Sequence, residues 1–148
     1  MSGPPITTDS AVGIIGPGRA GLGLGLALAR AGYVVRLYGR RKQAIPDPLE
    51  LTVGAADAPP PPAWLAQAGV VILAVRDDAI RPLAEALARG GAVRSEHVVL
   101  HLSGAQGQEA LGPLVPSRAA LGSLHPLQTI ADPERAPERL RGAWAAVE

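Results

Sequence analysis

Cysteine is absent from this chain of 148 residues. That excludes disulfides, a thiolate zinc site and a cysteine nucleophile. Histidine is scarce: His97, His101 and His125 are a thin supply for a metal centre, and none is expected. Phenylalanine is missing too, and Trp64, Trp144, Tyr33 and Tyr38 are the whole aromatic complement. A base-stacking surface is therefore not expected. Nor is there an excess of charge, since 14 basic residues stand against 13 acidic ones for a formal net charge of +1. That balance argues against nucleic acid as a partner. Long apolar runs are also lacking. The longest, Ala20 to Ala29, is bounded by Arg19 and Arg30 and is well short of the roughly 20 residues a bilayer needs. The first residues carry no basic segment of a signal peptide. A cytoplasmic protein with no membrane partner is the expectation.

Hydrophobic residues make up 47% of the chain and charged residues 18%, which excludes general disorder. A domain of this length buries roughly 70% of the surface its unfolded chain exposes, enough for one core without staples. Residues 1 to 10 read as a loose tail and 11 to 148 as one domain. From Ala11 onward, strands alternate with helices. Ala11–Ile15 reads as a buried strand and Arg19–Ala31 as a helix stopped by Gly32. Tyr33–Tyr38 is a second strand, and Leu49–Val53 has room for a third inside an irregular, Pro-rich stretch. That stretch holds the run Pro59 to Pro62, which reads as a spacer. A short helix over Ala63–Ala68 leads into Val70–Val75, whose unbroken apolar run implies burial on both faces. Asp77 or Asp78 is the expected cap of a helix reaching Arg89. Strands over His97–Leu102 and Ala119–Leu124 follow, with helices over Gln106–Leu111 and Pro133–Leu140. Gly142–Val147 starts one more strand. This alternation predicts an α/β fold, a doubly wound and mostly parallel sheet in three αβα layers.

Gly16-Pro17-Gly18-Arg19-Ala20-Gly21 matches G-x-G-x-x-G in its required context, after a strand and at the start of a helix. Gly16 suits the tight turn, Gly18 lets backbone amides reach a pyrophosphate, and Gly21 lets helix and strand approach. The anion then sits at a helix N-terminus, where free N–H groups and the macrodipole favour it. Arg19 adds a charge at the mouth. The competing reading is a plain strand-to-helix turn at a crowded packing site. After the second strand, where an NAD site places Asp or Glu, stand Tyr38 and Gly39, followed by Arg40, Arg41 and Lys42. Three cations there suit a 2′-phosphate, so NADP(H) is expected in preference to NAD(H). A solvated basic turn is the alternative.

Residues leaving the later strands should converge beside the nicotinamide. They are Val75, Arg76, Asp77 and Asp78, then His101 and Ser103, then His125, Pro126 and Gln128. His125, on a loop, and Ser103 are the catalytic candidates, able to hydrogen-bond a substrate carbonyl or carry a proton. Ser103 equally suits a cap for the helix near Gln106, and His101 a hydrogen-bonded core position. His97 reads as a solvated strand start.

The segments "GIIGPGRAGLGLGLALARAGY", "VVILAVRDDAI", "HVVLHLSGA" and "LGSLHPLQTIAD" together resemble the Rossmann-like proteins that carry a DUF2520 domain. Those are relatives of pyrroline-5-carboxylate reductase, ketopantoate reductase and 6-phosphogluconate dehydrogenase. The resemblance spans about residues 11 to 148. It implies an NADP-binding domain that a helical C-terminal domain, absent from this chain, would pair into a homodimer and complete as an active site. It implies that His125 to Gln128 lie on the nicotinamide side, and it supplies no substrate. Arg76 departs from the Pro common in relatives. The short Pro-rich stretch after the second strand departs too, which implies that the usual helix there is missing. Two function classes stay open: an NADP-dependent oxidoreductase reducing a small carbonyl or imine, and a non-catalytic NADP-binding sensor. An FAD or S-adenosylmethionine binder is disfavoured by the missing acidic residue. Alone, the chain is expected to bind cofactor without turnover.

Overall fold

The computed structural model describes residues 11–55 and 58–148; the tail expected over 1 to 10 lies outside them. Among the described residues seven strands form one sheet in the order β3-β2-β1-β4-β5-β6-β7. They are β1 (Ala11–Ile15), β2 (Val35–Gly39), β3 (Glu50–Val53), β4 (Ala68–Leu73), β5 (Val98–His101), β6 (Ala120–Pro126) and β7 (Ala145–Val147). All neighbours run parallel except β7, which pairs antiparallel with β6 at the edge. The α/β, doubly wound architecture expected from the sequence is the one observed.

Residue alternation along the inner strands divides the core in two. Val12, Ile14, Leu37, Val70 and Ile72 face α1 (Arg19–Arg30), whose Leu24 and Leu26 pack onto them. Ile15, Tyr38, Val71, Leu73 and Val99 face the other way. There they meet Trp64 and Leu65 of α2 (Pro62–Ala66), and Ile80, Ala84 and Leu87 of α3 (Asp77–Gly90). Fully burying a side chain of this size stabilises by about 1.5–3 kcal/mol, which is why both faces of these strands are apolar. Gly13 belongs to this arrangement. The Trp64 indole occupies the place of its missing side chain, and a methyl group there would fall 2.6 Å from Trp64 Cη2.

Several boundaries differ from the sequence reading. β4 begins at Ala68 and ends at Leu73, so Val75 lies past the strand, in the turn toward α3. α2 is shorter and earlier than expected. The helix near Gln106 is a 3-10 helix, Gln108–Ser117, interrupted by Pro113 and Pro116, which supply no N–H to an α-helical ladder. A 3-10 turn, Pro133–Arg135, precedes α4 (Ala136–Leu140). Between β2 and β3 the chain crosses without a helix, as the Pro-rich composition implied. Asp77 and Asp78 are not caps. Arg76 holds the N-cap position of α3, no side chain caps it, and both aspartates lie in the first turn. Asp78 instead meets the Arg76 guanidinium at 3.3 Å, with both side chains largely in solvent.

Candidate functional site

The glycine loop lies at the carboxyl end of β1, where strand order reverses between β1 and β4. Gly16 has φ +108°, a conformation that L side chains rarely adopt. A side chain there would also strike the Ala74 carbonyl. Gly21, one turn into α1, faces the Gly16 carbonyl so closely that even a methyl group would collide with it. Gly18 is different: it is exposed, and nothing lies within 4 Å of where its side chain would stand. It is also the N-cap of α1, with no side chain capping it and no acidic residue in the first turn. The loop therefore offers open space and uncapped backbone amides in the same place. Val75 packs at its flank, its Cγ1 3.2 Å from the position a Gly16 methyl would take.

Beside this cradle, Arg19 and Ala20 are exposed at the start of α1, and Arg40, Arg41 and Lys42 are exposed just after β2. Among the described residues none of these four cations joins a salt bridge. Position 39 cannot carry a carboxylate in this conformation, because a side chain there would meet Pro17 Cγ at 2.7 Å. The Tyr38 hydroxyl donates toward the carbonyls of Ala58 and Pro59, at 3.3 Å each, and its ring meets Trp64 edge-on at 5.7 Å. Burial pushes the Tyr38 phenol above its ordinary pKa. The sequence reading missed Gln43, whose Nε2 donates to the Pro17 carbonyl at 3.0 Å. No motif signals it.

The second half of the site gathers around His125. This residue and Pro126 are the last two of β6 rather than a loop, because the strand continues far enough to pair with β7. His125 Nδ1 lies 3.2 Å from the Leu102 carbonyl, which can only accept, so the neutral ring carries its proton on Nδ1 and leaves Nε2 as an acceptor. The ring lies over Gly104, where a methyl group would fall 2.7 Å from Nε2. His125 also lines two clefts. One, of about 220 Å³, is shared with Arg19, Ala20, Leu24, Gln128 and Ile130. The other, of about 290 Å³, is bounded by Ser103, Gly104, Ser123 and Glu148.

The remaining candidates separate. Ser103 is buried, and its hydroxyl oxygen accepts from the amides of Ala105 and Gln106, both at 3.1 Å. It thus holds a turn and stands five residues ahead of Gln108, the start of the helix it was expected to cap. His101 is wholly buried as a hydrogen-bonded core residue, accepting from the Ser103 amide at Nδ1 and meeting the Gly107 carbonyl at 2.8 Å. His97 is not solvated. It is buried, accepting from the Arg94 amide at 2.9 Å and donating from Nε2 to the Leu65 carbonyl at 3.0 Å. Its backbone position at a strand start gave no hint that the side chain turns inward to tie α2 to the loop before β5. Arg76 is exposed and engaged with Asp78 rather than with the glycine loop. No helix among the described residues is long and apolar enough to cross a membrane.

Comparison with solved structures finds the same fold in redox enzymes. Glycerol-3-phosphate dehydrogenase from Coxiella burnetii superposes with a TM-score of 0.62 at 13% identity, covering 89% of this chain and 44% of that one. A candidate NADP oxidoreductase from Bacteroides fragilis gives 0.58 at 23% identity, over 82% and 46%. A D-isomer specific 2-hydroxyacid dehydrogenase from Xanthobacter autotrophicus Py2, solved with NADPH, gives 0.54 at 21%, over 80% and 38%. The chain thus spans less than half the length of these structures. No curated protein sequence matches it. A family model described as Rossmann-like domain matches residues 4–126, and with the strand order and glycine loop in agreement, the chain belongs to the Rossmann-like domain family.

Proposed function

We propose that this chain is the cofactor-binding part of an NADP-dependent oxidoreductase acting on a small carbonyl or imine substrate. One observation carries the reading: an open, uncapped glycine loop stands beside four exposed cations, while the place of an NAD-type carboxylate is closed by Pro17. In this reading the amides around Gly18 and the N-terminus of α1 hold the pyrophosphate, with Arg19 adding charge. Arg40 and Arg41 grip the 2′-phosphate, since guanidinium groups match phosphate oxygens bidentately. Gly16, Ala20, Gly21 and Gly39 serve by their small size, and Pro17 and Val75 form the walls.

A bound NADPH would supply hydride to the substrate's carbonyl or imine carbon. His125 is assigned the accompanying proton: its imidazolium form gives it from Nε2 to the substrate oxygen or nitrogen, and its neutral form takes it back in the reverse direction. Ser103, with its oxygen committed to two amides, retains a hydroxyl proton to donate and is assigned an orienting role. Two of the neighbours described above are dehydrogenases, and one of them was solved with NADPH, which supports this chemistry without naming a substrate. Because the chain spans less than half of those proteins, binding without turnover is the expected behaviour of this chain alone.

The test is titration with NADPH and NADH, alongside Arg40→Ala and Arg41→Ala. Each substitution should cost about 1.5–3 kcal/mol in NADPH affinity, the worth of a hydrogen bond to a charged group, and leave NADH nearly unchanged. Equal losses for both cofactors would refute the assigned role of the arginines.

A further inference from the structure

The basic turn is tied to the glycine loop at both of its ends, and both ties end on Pro17. At the start of the turn, Gly39 lies under the Pro17 ring, close enough that a methyl group would sit 2.7 Å from Cγ and 2.9 Å from Cδ. Immediately after the turn, the Gln43 side chain reaches back and donates from Nε2 to the Pro17 carbonyl at 3.0 Å, across 26 residues of sequence. Between these two anchors stand only Arg40, Arg41 and Lys42. Backbone bonds hold the base of the same structure: Gly16 N–H donates to the Tyr38 carbonyl and Gly54 N–H to the Gly39 carbonyl, both at 2.9 Å. Pro17 is a rigid post for such ties, because its ring fixes φ. Exposed arginines without partners would otherwise sample many positions, and binding would then cost the entropy of ordering them.

We propose that Pro17, Gly39 and Gln43 form a clasp that fixes the Arg40–Lys42 turn relative to the glycine loop, with Gln43 as the positioning residue for cofactor preference. The inference rests on the dinucleotide reading above and adds to it. Gln43 need not touch the cofactor. It sets the distance between the cations and the loop, so that one ligand can span both its pyrophosphate and its 2′-phosphate. The steric half of the clasp acts in the same direction, because Gly39 cannot be exchanged for Asp or Glu without displacing Pro17.

The experiment compares dissociation constants for NADPH and NADH, which differ only in the 2′-phosphate, in the natural chain and in Gln43→Met. Methionine keeps the length and volume of glutamine and removes the donor. NADPH should bind about three- to tenfold more weakly, the worth of one ordinary hydrogen bond, while NADH changes less than about twofold. Gln43→Ala should move the ratio in the same direction. Thermal unfolding midpoints should stay level, since Gln43 is exposed. If the natural chain prefers NADPH and Gln43→Met leaves the ratio unchanged or weakens both cofactors equally, the clasp is overturned and the dinucleotide reading stands. If the natural chain binds neither cofactor, or binds both equally, both inferences fall.

Discussion

Around the glycine loop the groups able to act on a ligand are mostly backbone amides, and the polypeptide is packed so closely that glycine is the only residue that fits at several points. Around His125 the groups are side chains, and most of them already have partners: His101 is sealed in the core and Ser103 holds a turn. The first region is a shape imposed by the strand order. The second is a set of hydrogen bonds in which a single ring nitrogen, His125 Nε2, is left uncommitted. A binding site made of backbone is specified by what residues lack, whereas a catalytic site is specified by which of several similar side chains stays unpartnered. That contrast can be broken or sharpened by substitution.

The largest effect should come from Gly21→Val set against Gly18→Ala. At position 21 any side chain runs into the Gly16 carbonyl, which belongs to the backbone and cannot step aside. The turn must deform, and the substitution should cost about 3 kcal/mol or more in urea denaturation, the upper range for overpacking. At position 18 nothing stands in the way and φ is −79°. Gly18→Ala should therefore cost only about 0.5–1 kcal/mol, because glycine is the better N-cap of the two. It should nevertheless weaken NADPH, because the added methyl points into the space assigned to the phosphates. A Gly18→Ala protein that binds normally would show that the cradle lies elsewhere.

His97 and His125 are the sharper pair on the other side. Replacing His97 with Ala strands the Leu65 carbonyl in a buried setting and takes the acceptor from the half-buried Arg94 amide. Leaving such groups unpaired should destabilise the fold by about 2–3 kcal/mol, read from the same denaturation midpoints. His125→Gln removes a half-buried ring bonded to one carbonyl and should cost less than about 1.5 kcal/mol, the upper range for an ordinary hydrogen bond. Reversal of that order would place the structural histidine at 125 and the free one at 97.

How much of this was legible in the sequence follows from the same contrast. The strands buried on both faces read directly as apolar runs, Ala11–Ile15 and Val70–Val75, although the second ends at Leu73, and the glycine spacing placed the turn between β1 and α1. Gly39 and the cations after it were visible for the same reason, since position relative to a strand end is a one-dimensional property. Side-chain satisfaction is not. Whether His97 turns inward depends on the Leu65 carbonyl, 32 residues earlier. Whether Asp77 caps a helix depends on where α3 begins, and Arg76 took that place. The antiparallel edge strand β7 was foreseen as a strand but not in its direction, which pairing with β6 alone decides. Gln43 was invisible because its partner is a carbonyl 26 residues away.

The smallest effect concerns Glu109, at the start of the 3-10 helix behind Ser103. Its own amide and that of Gly107 donate to the carboxylate and hold its pKa below the ordinary value, and burial opposes this. The Gly107 bond measures 2.9 Å. A carboxyl whose pKa is lower folded than unfolded binds fewer protons in the native state between the two values. Stability therefore rises with pH through that window. The contribution is present above about pH 4.5 and is lost as the pH falls through the lowered native value. Glu109→Gln keeps an oxygen for the Gly107 amide and removes the titration. Its thermal midpoint should lie slightly below that of the natural chain at neutral pH, and the two should converge in acid. The Gly21 and Gly18 variants should keep the full acid slope, because the glycine loop carries no carboxylate to protonate. A Glu109→Gln protein with an unchanged slope would assign the acid sensitivity to other carboxylates and leave the His125 side without a titrating anchor of its own.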